Sequence, residues 1–301
     1  LDGWNQILFR HSSLHADSTI FNSRDVDGSF AQEDASVVFL DSENAAAHNW
    51  LESKGWTMGE PIICLLVRDS KFLSSHPMTG NGKEWAFKNW SYHDYRDSEI
   101  ETYIEAVRWL VDQGVWVIRM GKIAEREINF QHPKFVDYAF IEDQNDLMDI
   151  WLFANASATI STGTGPDIIA NIYNRPVLYL NYIPLGLLHS WSNSTTAPKK
   201  LIDQSSSECA SLEICIRSSF GRTSEYYEHG LVVADLSSEE IRLEVKEFWH
   251  RLHGKNAHDP ADELLQMHFW KALEIWPEYR KFHGWRHPNC KVSSSWLRQT
   301  I

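Results

Sequence analysis

The chain has 301 residues, 43% of them hydrophobic, which is enough to bury the core of one large domain or two moderate ones. A formal net charge of −13, with no block of lysine or arginine, argues against a nucleic acid or an anionic membrane surface as partner. The four cysteines have neither CxxC spacing nor a histidine cluster around them, so we expect no zinc site, no disulfide framework and a reducing compartment.

The first elements predicted along the chain are a helix and a buried strand. Ser42 has the side chain of an N-cap, and apolar residues recur at helical spacing until Gly55 ends the run. Residues 61–67 form an unbroken apolar run, typical of a strand buried on both faces of a parallel sheet. Arg68 follows where this strand leaves the core. Residues 71–89 are rich in Gly, Ser and Asn and are predicted to form a loop over the site at this edge.

The second half of the predicted sheet alternates with helices. Ser98 is predicted to cap a helix that ends at Gly114, with apolar side chains at helical spacing between them. A strand at residues 115–118 leads to Arg119, a second arginine at the carboxyl end of a strand. The further predicted elements are a short strand at 136–139 and helices at 146–153, 239–252 and 261–276.

Residues 158–170 are the most informative stretch. An apolar run ends in a cluster of small residues, an amphipathic run at 167–173 follows, and 177–180 has the pattern of another strand. Strand, turn, helix and strand together form a βαβ unit of a parallel sheet. Glycines let backbone N–H groups approach an anion and hydroxyls add donors, so the pattern predicts phosphate binding. The alternative is a helix cap with Pro166 at the first helical position. This small-residue turn comprises Ser161, Thr162, Gly163, Thr164 and Gly165.

Charged residues are expected at the same edge of the sheet as the small-residue turn. Arg68, Asp69 and Arg119 all follow predicted strands, and the carboxyl ends of parallel strands meet at one edge. Two guanidinium groups beside an anion-binding turn fit a nucleotide diphosphate and would stabilise its leaving-group charge. The alternative is that the arginines form salt bridges with Asp69, Asp94 or Asp97.

Two further groups of residues are candidates for chemistry. His93, Asp94 and Asp97 can each act as a general base that takes the proton of an attacking sugar hydroxyl, or can simply cap a helix. Lys199 and Lys200 can neutralise phosphate, or can be a solvated pair in a loop. Metalloprotease, serine-hydrolase, P-loop and dinucleotide motifs are missing from the sequence, which disfavours those classes.

Several motifs occur together between residues 68 and 201, within a similarity that covers roughly residues 41–301. They are Arg68-Asp69-Ser70, Tyr92-His93-Asp94-Tyr95-Arg96-Asp97-Ser98-Glu99-Ile100, Val117-Ile118-Arg119-Met120-Gly121, Asp137-Tyr138-Ala139, Asp146-Leu147-Met148-Asp149-Ile150, Ser161-Thr162-Gly163-Thr164-Gly165 and Pro198-Lys199-Lys200-Leu201. In this combination the chain resembles a bacterial glycosyltransferase family associated with surface-polysaccharide assembly. That family is expected to have the two-domain GT-B arrangement.

An arginine after the first strand, followed later by a Ser/Thr/Gly turn, is also similar to fucosyltransferase-like enzymes of the GT-B type. There the arginine and the turn contact the diphosphate of the donor. The resemblance therefore implies that Arg68 and the small-residue turn bind the donor phosphates, with Arg119 and Gly121 in the same donor site. The family turn has Ser-Gly where this chain has Thr164-Gly165-Pro166.

The sequence therefore predicts an α/β protein with a Rossmann-like parallel sheet and flanking helices, of the GT-B type. We interpret residues 1–57 as an N-terminal segment, the remnant of an acceptor domain that is reduced or missing. Residues 58–258 are interpreted as the nucleotide-sugar-binding domain, and 259–301 as a helix and tail that pack back on it.

The predicted function is transfer of a hexosyl or deoxyhexosyl group from a nucleotide-sugar donor to a glycan acceptor. We expect a reaction without a metal or cofactor, in which positive side chains and backbone N–H groups hold the diphosphate. The expected location is the cytoplasm or the inner face of the membrane. A further expectation is that the chain belongs to a larger enzyme. The alternatives are a sugar-nucleotide epimerase of related fold and a non-catalytic subunit that binds nucleotide sugar or glycan.

Overall fold

The computed structural model describes residues 24–32, 37–75, 90–255 and 259–301. Its strands form two sheets, and every neighbouring pair in the larger sheet is parallel. The strands are β1 (Ile62–Leu66), β2 (Trp116–Arg119), β3 (Phe135–Val136), β4 (Ala158–Ser161), β5 (Val177–Tyr182), β6 (Ser194–Pro198), β7 (Lys200–Asp203), β8 (Leu231–Ala234) and β9 (Lys291–Val292). The larger sheet has the order β3-β2-β1-β4-β5-β6-β9, while β7 and β8 form an antiparallel pair.

Helices lie between most of these strands. In the described part of the chain they are α1 (Ser29–Gln32), α2 (Asp41–Ser53), α3 (Lys71–Ser75), α4 (Ile104–Asp112), α5 (Asp146–Asn155), α6 (Ile168–Ile172), α7 (Leu212–Arg217), α8 (Thr223–Glu228), α9 (Ser238–Leu252), α10 (Pro260–Glu274), α11 (Tyr279–Phe282) and α12 (Ser294–Thr300). The predicted α/β class is therefore confirmed, and the sheet is compatible with a Rossmann-like fold.

Helices cover both faces of the large sheet. In β1, Ile63 and Leu65 pack with α4 and α9 on one face, whereas Ile62, Cys64 and Leu66 pack with α2 and α5 on the other. This two-sided burial explains why the strand has an unbroken apolar sequence instead of an alternating one. Towards the other edge, the second face of β5 packs against α7, α10 and α12.

The ends of the chain take part in the same layers. Helix α2 precedes β1 and shares a core cluster with it, and Asn44 of α2 accepts a hydrogen bond from the Trp151 indole of α5 (2.9 Å). Strand β9 pairs with β6, so residues 259–301 add an edge strand to the sheet. Trp296 and Leu297 of α12 lie in one cluster with Val177 and Tyr179 of β5.

Several predicted element boundaries are wrong for local reasons. Helix α2 begins at Asp41, so Ser42 lies within it and the Glu43 carboxylate accepts from the Leu40 N–H instead. Ser98 does not cap a helix, because its hydroxyl donates to Asp235. The 3₁₀ helix Ile100–Tyr103 then precedes α4.

Two further predictions of local structure differ from the observed elements. The predicted strand at residues 136–139 ends at Val136, and a 3₁₀ turn, Tyr138–Phe140, replaces its second half. Residues 71–75 of the predicted loop are the short helix α3, and the remainder of that prediction, residues 76–89, lies outside the described residues.

The strand order creates one switch point. From β1 the chain builds outward through β2 and β3, then returns to the other side of β1 with β4 and builds outward again. The carboxyl ends of β1 and β4 lie side by side, with Leu66 in register with Ser161. The connections from β1 and β4 leave in opposite directions there, and open α/β sheets hold their ligands at such a point.

Candidate functional site

The small-residue turn closes directly over the ends of β1 and β4. The Thr162 N–H donates to the Leu66 carbonyl (3.2 Å), and the Thr162 hydroxyl accepts from the Arg68 N–H (3.0 Å). Gly163 has a φ of +80°, and a Cβ at this position would lie 2.7 Å from the Tyr182 ring. Glycine is therefore required at position 163 both by backbone conformation and by space.

The donors of the small-residue turn are engaged by the protein itself. The buried Asp167 carboxylate accepts from the Ser161 hydroxyl (2.6 Å) and from the Thr164 N–H (2.8 Å), while the Gly163 N–H donates to the Ser161 oxygen (3.1 Å). Burial raises the pKa of Asp167 to about 6, against the opposing effect of these hydrogen bonds. The observed geometry is thus a cap, in which the Asp167 carboxylate holds the Ser161 hydroxyl and the Thr164 N–H.

Two arginines flank this turn. The Arg68 guanidinium is partly buried, and its Nε donates to Asp97 Oδ1 (2.9 Å). Arg96, which the sequence reasoning did not select, donates from Nη2 to the Gly163 carbonyl (2.6 Å). Both planar cations therefore lie at the switch point, where the first was expected and the second was not.

The three candidate bases lie on the 3₁₀ helix Ser91–Arg96 or directly after it. The Asp94 side chain is exposed and makes no hydrogen bond or ion pair with the residues that the structure describes. Partial desolvation by nearby protein atoms raises the pKa of the exposed Asp94, and burial raises the pKa of Asp97; the charge of Arg68 opposes both shifts. The His93 ring stacks closely on Tyr92, with 4.0 Å between the ring centres.

Lys199 belongs to a polar network that holds the carboxyl edge together. Its ammonium group, with the side chain only 4% exposed, binds Asp235 Oδ1 (2.6 Å) and the Asp97 carbonyl (2.5 Å). Asp235 also accepts from the Ser98 hydroxyl (2.8 Å), which in turn accepts from the Asn181 amide (2.9 Å). The network joins the ends of β5, β6 and β8 to residues 97–98 and fixes their positions.

The other predicted binding residues have different surroundings. Lys200 pairs with Glu240 at the start of α9 (2.5 Å). Arg119 is 2% exposed and pairs with Asp137 (3.0 Å), so its charge is neutralised within the β2–β3 side of the sheet. Its neighbour Gly121 has a φ of +155° and accepts from the Gln144 amide. Asp69 accepts from the Lys71 and Glu125 N–H groups and connects two loops.

Two cavities meet at residues 94–99. The larger is an open cleft with a volume of about 520 Å³, lined by α8 and β8, and the smaller has a volume of about 220 Å³ and lies between β1, β2 and the loop after β2. Asp94, Asp97, Ser98 and Glu99 line both cavities. Residues 94–99 therefore form a shared wall beside the switch point.

Arg96, Asp167 and the cavity-lining residues of α8 and β8 were not predicted as site residues from the sequence. Asp167 has a local signal, because an acidic residue three positions after Thr164 is the spacing of a capping box. Arg96 was part of a recognised motif but had no signal of its own. Tyr226 and Asp235 are brought to the cavity only by tertiary packing.

Among the described residues, His, Cys, Asp and Glu side chains form no group of three or more that could hold a metal ion. None of the helices in that part of the chain combines the length and apolar character needed to cross a membrane. No protein-family model matches the sequence, and comparisons with curated proteins and with solved structures find no match either. The fold is thus an α/β fold compatible with the Rossmann-like class, with a cluster of charged residues beside its strand-order switch point.

Proposed function

We propose that this protein is a glycosyltransferase that transfers a sugar from a nucleotide-sugar donor to a glycan acceptor. The observation that carries the proposal is that Arg68 and Arg96 both contact the small-residue turn at the β1–β4 switch point, where Arg68 also binds Asp97 and its charge acts on Asp94. Open α/β sheets bind nucleotides at this place, and the reaction needs both cations for a diphosphate and a base for a hydroxyl.

In this proposal Arg68 holds the donor diphosphate. Its Nε is tied to Asp97, and within the described residues its terminal Nη groups have no hydrogen-bond partner, so the flat end of the guanidinium can bind two phosphate oxygens. Arg96 adds a second positive charge at the small-residue turn. Negative charge grows on the diphosphate as the donor bond breaks, and these cations would stabilise it without requiring a metal ion.

Asp94 is the base that the geometry favours among the three candidates. It faces both cavities, whereas Asp97 is held by Arg68. A carboxylate with a raised pKa accepts a proton more readily, which suits removal of the acceptor hydroxyl proton during attack. The proton would pass from the hydroxyl to Asp94 while the new bond to the sugar forms and the nucleoside diphosphate leaves.

A non-catalytic subunit that binds nucleotide sugar or glycan is the second candidate. The observation that favours it is the Asp167 carboxylate, which already occupies the donors of the small-residue turn. On that interpretation the turn is a structural cap, and the switch point binds a donor without activating it. Product analysis with a correct acceptor distinguishes the two, because only the transferase releases a nucleoside diphosphate.

The first test is a thermal-shift panel of UDP, GDP, CMP, dTDP and ADP. A ligand at one hundred times its dissociation constant should stabilise the fold by about 2.7 kcal/mol. Arg68→Ala should abolish the shift, whereas Arg108→Ala, which removes an exposed arginine of α4 paired with Glu105, should retain it. No shift with any nucleotide, or an equal shift in both variants, would contradict a donor site at Arg68.

Arg68→Lys tests catalysis separately from binding. Lysine keeps the charge but cannot hold two oxygens at once, so turnover should fall by more than donor affinity, with a loss of roughly 2–4 kcal/mol in transition-state stabilisation. The measurement is kcat and donor affinity for parent and variant. Unchanged turnover in Arg68→Lys would end the catalytic role of this residue.

A further inference from the structure

The larger cavity is lined by aromatic, aliphatic and carboxylate side chains, unlike the surroundings of Arg68 and Arg96. We infer that it binds an uncharged saccharide, at least one pyranose ring, and that this saccharide is the acceptor. A volume of about 520 Å³ lies within the range of small-molecule sites. Saccharide binding follows from the cavity alone, whereas the role of acceptor rests on the proposed function.

The charges of the cavity disfavour an anionic ligand. Four carboxylates line it, from Asp94, Asp97, Glu99 and Asp235, and Lys199 is the one cation among its lining residues. The Lys199 ammonium is already bound by Asp235 and by the Asp97 carbonyl. Asp97 and Glu99 are likewise paired, with Arg68 and Arg126, so a diphosphate placed here would meet the unpaired Asp94 carboxylate and no free cation among the described lining residues.

The uncharged surfaces of the cavity fit a sugar ring. Tyr227 is 72% exposed and Val232 is 46% exposed, and both line the cavity beside the buried Tyr226. A pyranose has C–H groups on its ring faces and hydroxyl donors around its rim. An aromatic or aliphatic surface can cover the ring face, while carboxylates such as Asp94 and Glu99 accept from the hydroxyls.

The cavity is held together by contacts between segments distant in sequence. Helix α8 packs on the 3₁₀ helix Ser91–Arg96, which overlaps the shared wall. There the Thr223 hydroxyl accepts from the Tyr95 N–H (3.2 Å), and the centres of the Tyr95 and Tyr226 rings lie 5.3 Å apart. Lys199 and Asp235 fix the opposite side. The site is therefore already formed without ligand, which lowers the ordering cost of binding.

The shared wall connects this cavity to the proposed reaction. Asp94 and Asp97 line the larger cavity and Asp97 binds Arg68, so a hydroxyl of a saccharide in this cavity would lie close to the arginine proposed to hold the donor. Acceptor and donor would then approach Asp94 from opposite sides, which is the arrangement that direct transfer requires.

The test is saturation-transfer NMR with the methyl glycosides of glucose, galactose, mannose and fucose and with lactose, using no turnover assay. At least one of these neutral probes should bind the parent, and Tyr227→Ala should raise its Kd roughly five- to tenfold through loss of the ring contact. Asp94→Asn should also weaken binding of that glycoside, because a neutral amide is a poorer hydrogen-bond acceptor than a carboxylate. Leu264→Ala, a 66% exposed position on α10, is the control and should bind as the parent does.

UDP and GDP titrated into the same samples separate this inference from the proposed function. Saccharide binding that depends on Tyr227, without nucleotide binding, would support the inference and contradict the function. Nucleotide binding that is unaffected by Tyr227→Ala, with no glycoside bound, would overturn the inference alone. The inference is also overturned if Tyr227→Ala weakens the binding of UDP or GDP. Preferential binding of tetramethylammonium over every glycoside at this site would overturn it as well.

Discussion

Gly163 and Asp167 determine the geometry of the turn after β4. Gly163 has a conformation that other residues adopt only with strain, and it faces the Tyr182 ring. Asp167 is buried yet accepts hydrogen bonds from Ser161 and Thr164. Both residues lie beside the proposed donor site, so a substitution at either one changes the fold and the site together.

Gly163→Ala should destabilise the protein by about 2–4 kcal/mol, because a positive φ and a Cβ close to an aromatic ring both add strain. Gly165→Ala is the matched control two residues away, where a Cβ meets no heavy atom within 4 Å. Its free energy of unfolding should stay within about 0.5 kcal/mol of the parent value. Urea denaturation measures both, and equal losses would contradict the role of the Tyr182 contact.

Asp167 should make the stability of the protein depend on pH. Its pKa is about 6 in the fold and lower in the unfolded chain, so the folded state binds the proton more tightly. The free energy of unfolding should therefore decrease as the pH rises from about 4 to about 6, by about 2–3 kcal/mol from this group.

Asp167→Asn isolates this contribution, because Asn keeps the shape and one acceptor oxygen but does not titrate. The buried His189 and His283, whose pKa values burial lowers to about 3 and about 4, change stability in the opposite direction but equally in both proteins. The difference between parent and variant, measured by denaturation at several pH values, should follow the Asp167 titration. A constant difference across that range would contradict it.

At the scale of elements, the carboxyl edge of the sheet depends on the contact between Lys199 after β6 and Asp235 after β8. Lys199→Met should cost about 3 kcal/mol, because it leaves a partly buried carboxylate without its cation. The neighbouring pair Lys200–Glu240 is the control, since Glu240 keeps its hydrogen bonds from Ser237. Lys200→Met should therefore cost about 1 kcal/mol or less.

A double variant checks the cause of the Lys199 effect. Adding Asp235→Asn to Lys199→Met removes the unpaired charge while keeping an acceptor for the Ser98 hydroxyl, so part of the lost stability should return. If Lys199 were instead a free phosphate ligand, its loss would lower nucleotide affinity and leave the melting temperature unchanged. Melting temperatures of the three variants decide between these roles.

At the scale of the whole molecule, residues 259–301 share one core with β5, so we expect a single unfolding transition. Trp296→Ala, at a position 5% exposed, should lower the free energy of unfolding by about 3–5 kcal/mol and shift the whole transition. Leu264→Ala on the exposed face of α10 is the control. Circular dichroism and tryptophan fluorescence should give the same midpoint, and two separate transitions would show that this segment folds independently.

The local elements of the sheet could be predicted because their signals lie within a few residues. The apolar run that became β1, and the strand–turn–helix pattern around Gly163, depend on side chains adjacent in sequence. The strands β6, β7, β8 and β9 were not predicted. In β6, Ser194, Thr195 and Thr196 are polar and their burial depends on neighbours far along the chain, and β9 has only two residues.

The sequence by itself determined the α/β class and the location of Arg68 beside the small-residue turn. Parallel strands place their carboxyl ends at one edge, and that rule needs no knowledge of the packing. Only the tertiary structure decided which charges meet: Arg68 with Asp97, Arg119 with Asp137, and Asp167 with the turn. The tertiary structure also forms the larger cavity, because α8 and β8 reach the shared wall through long-range packing that no local sequence pattern encodes.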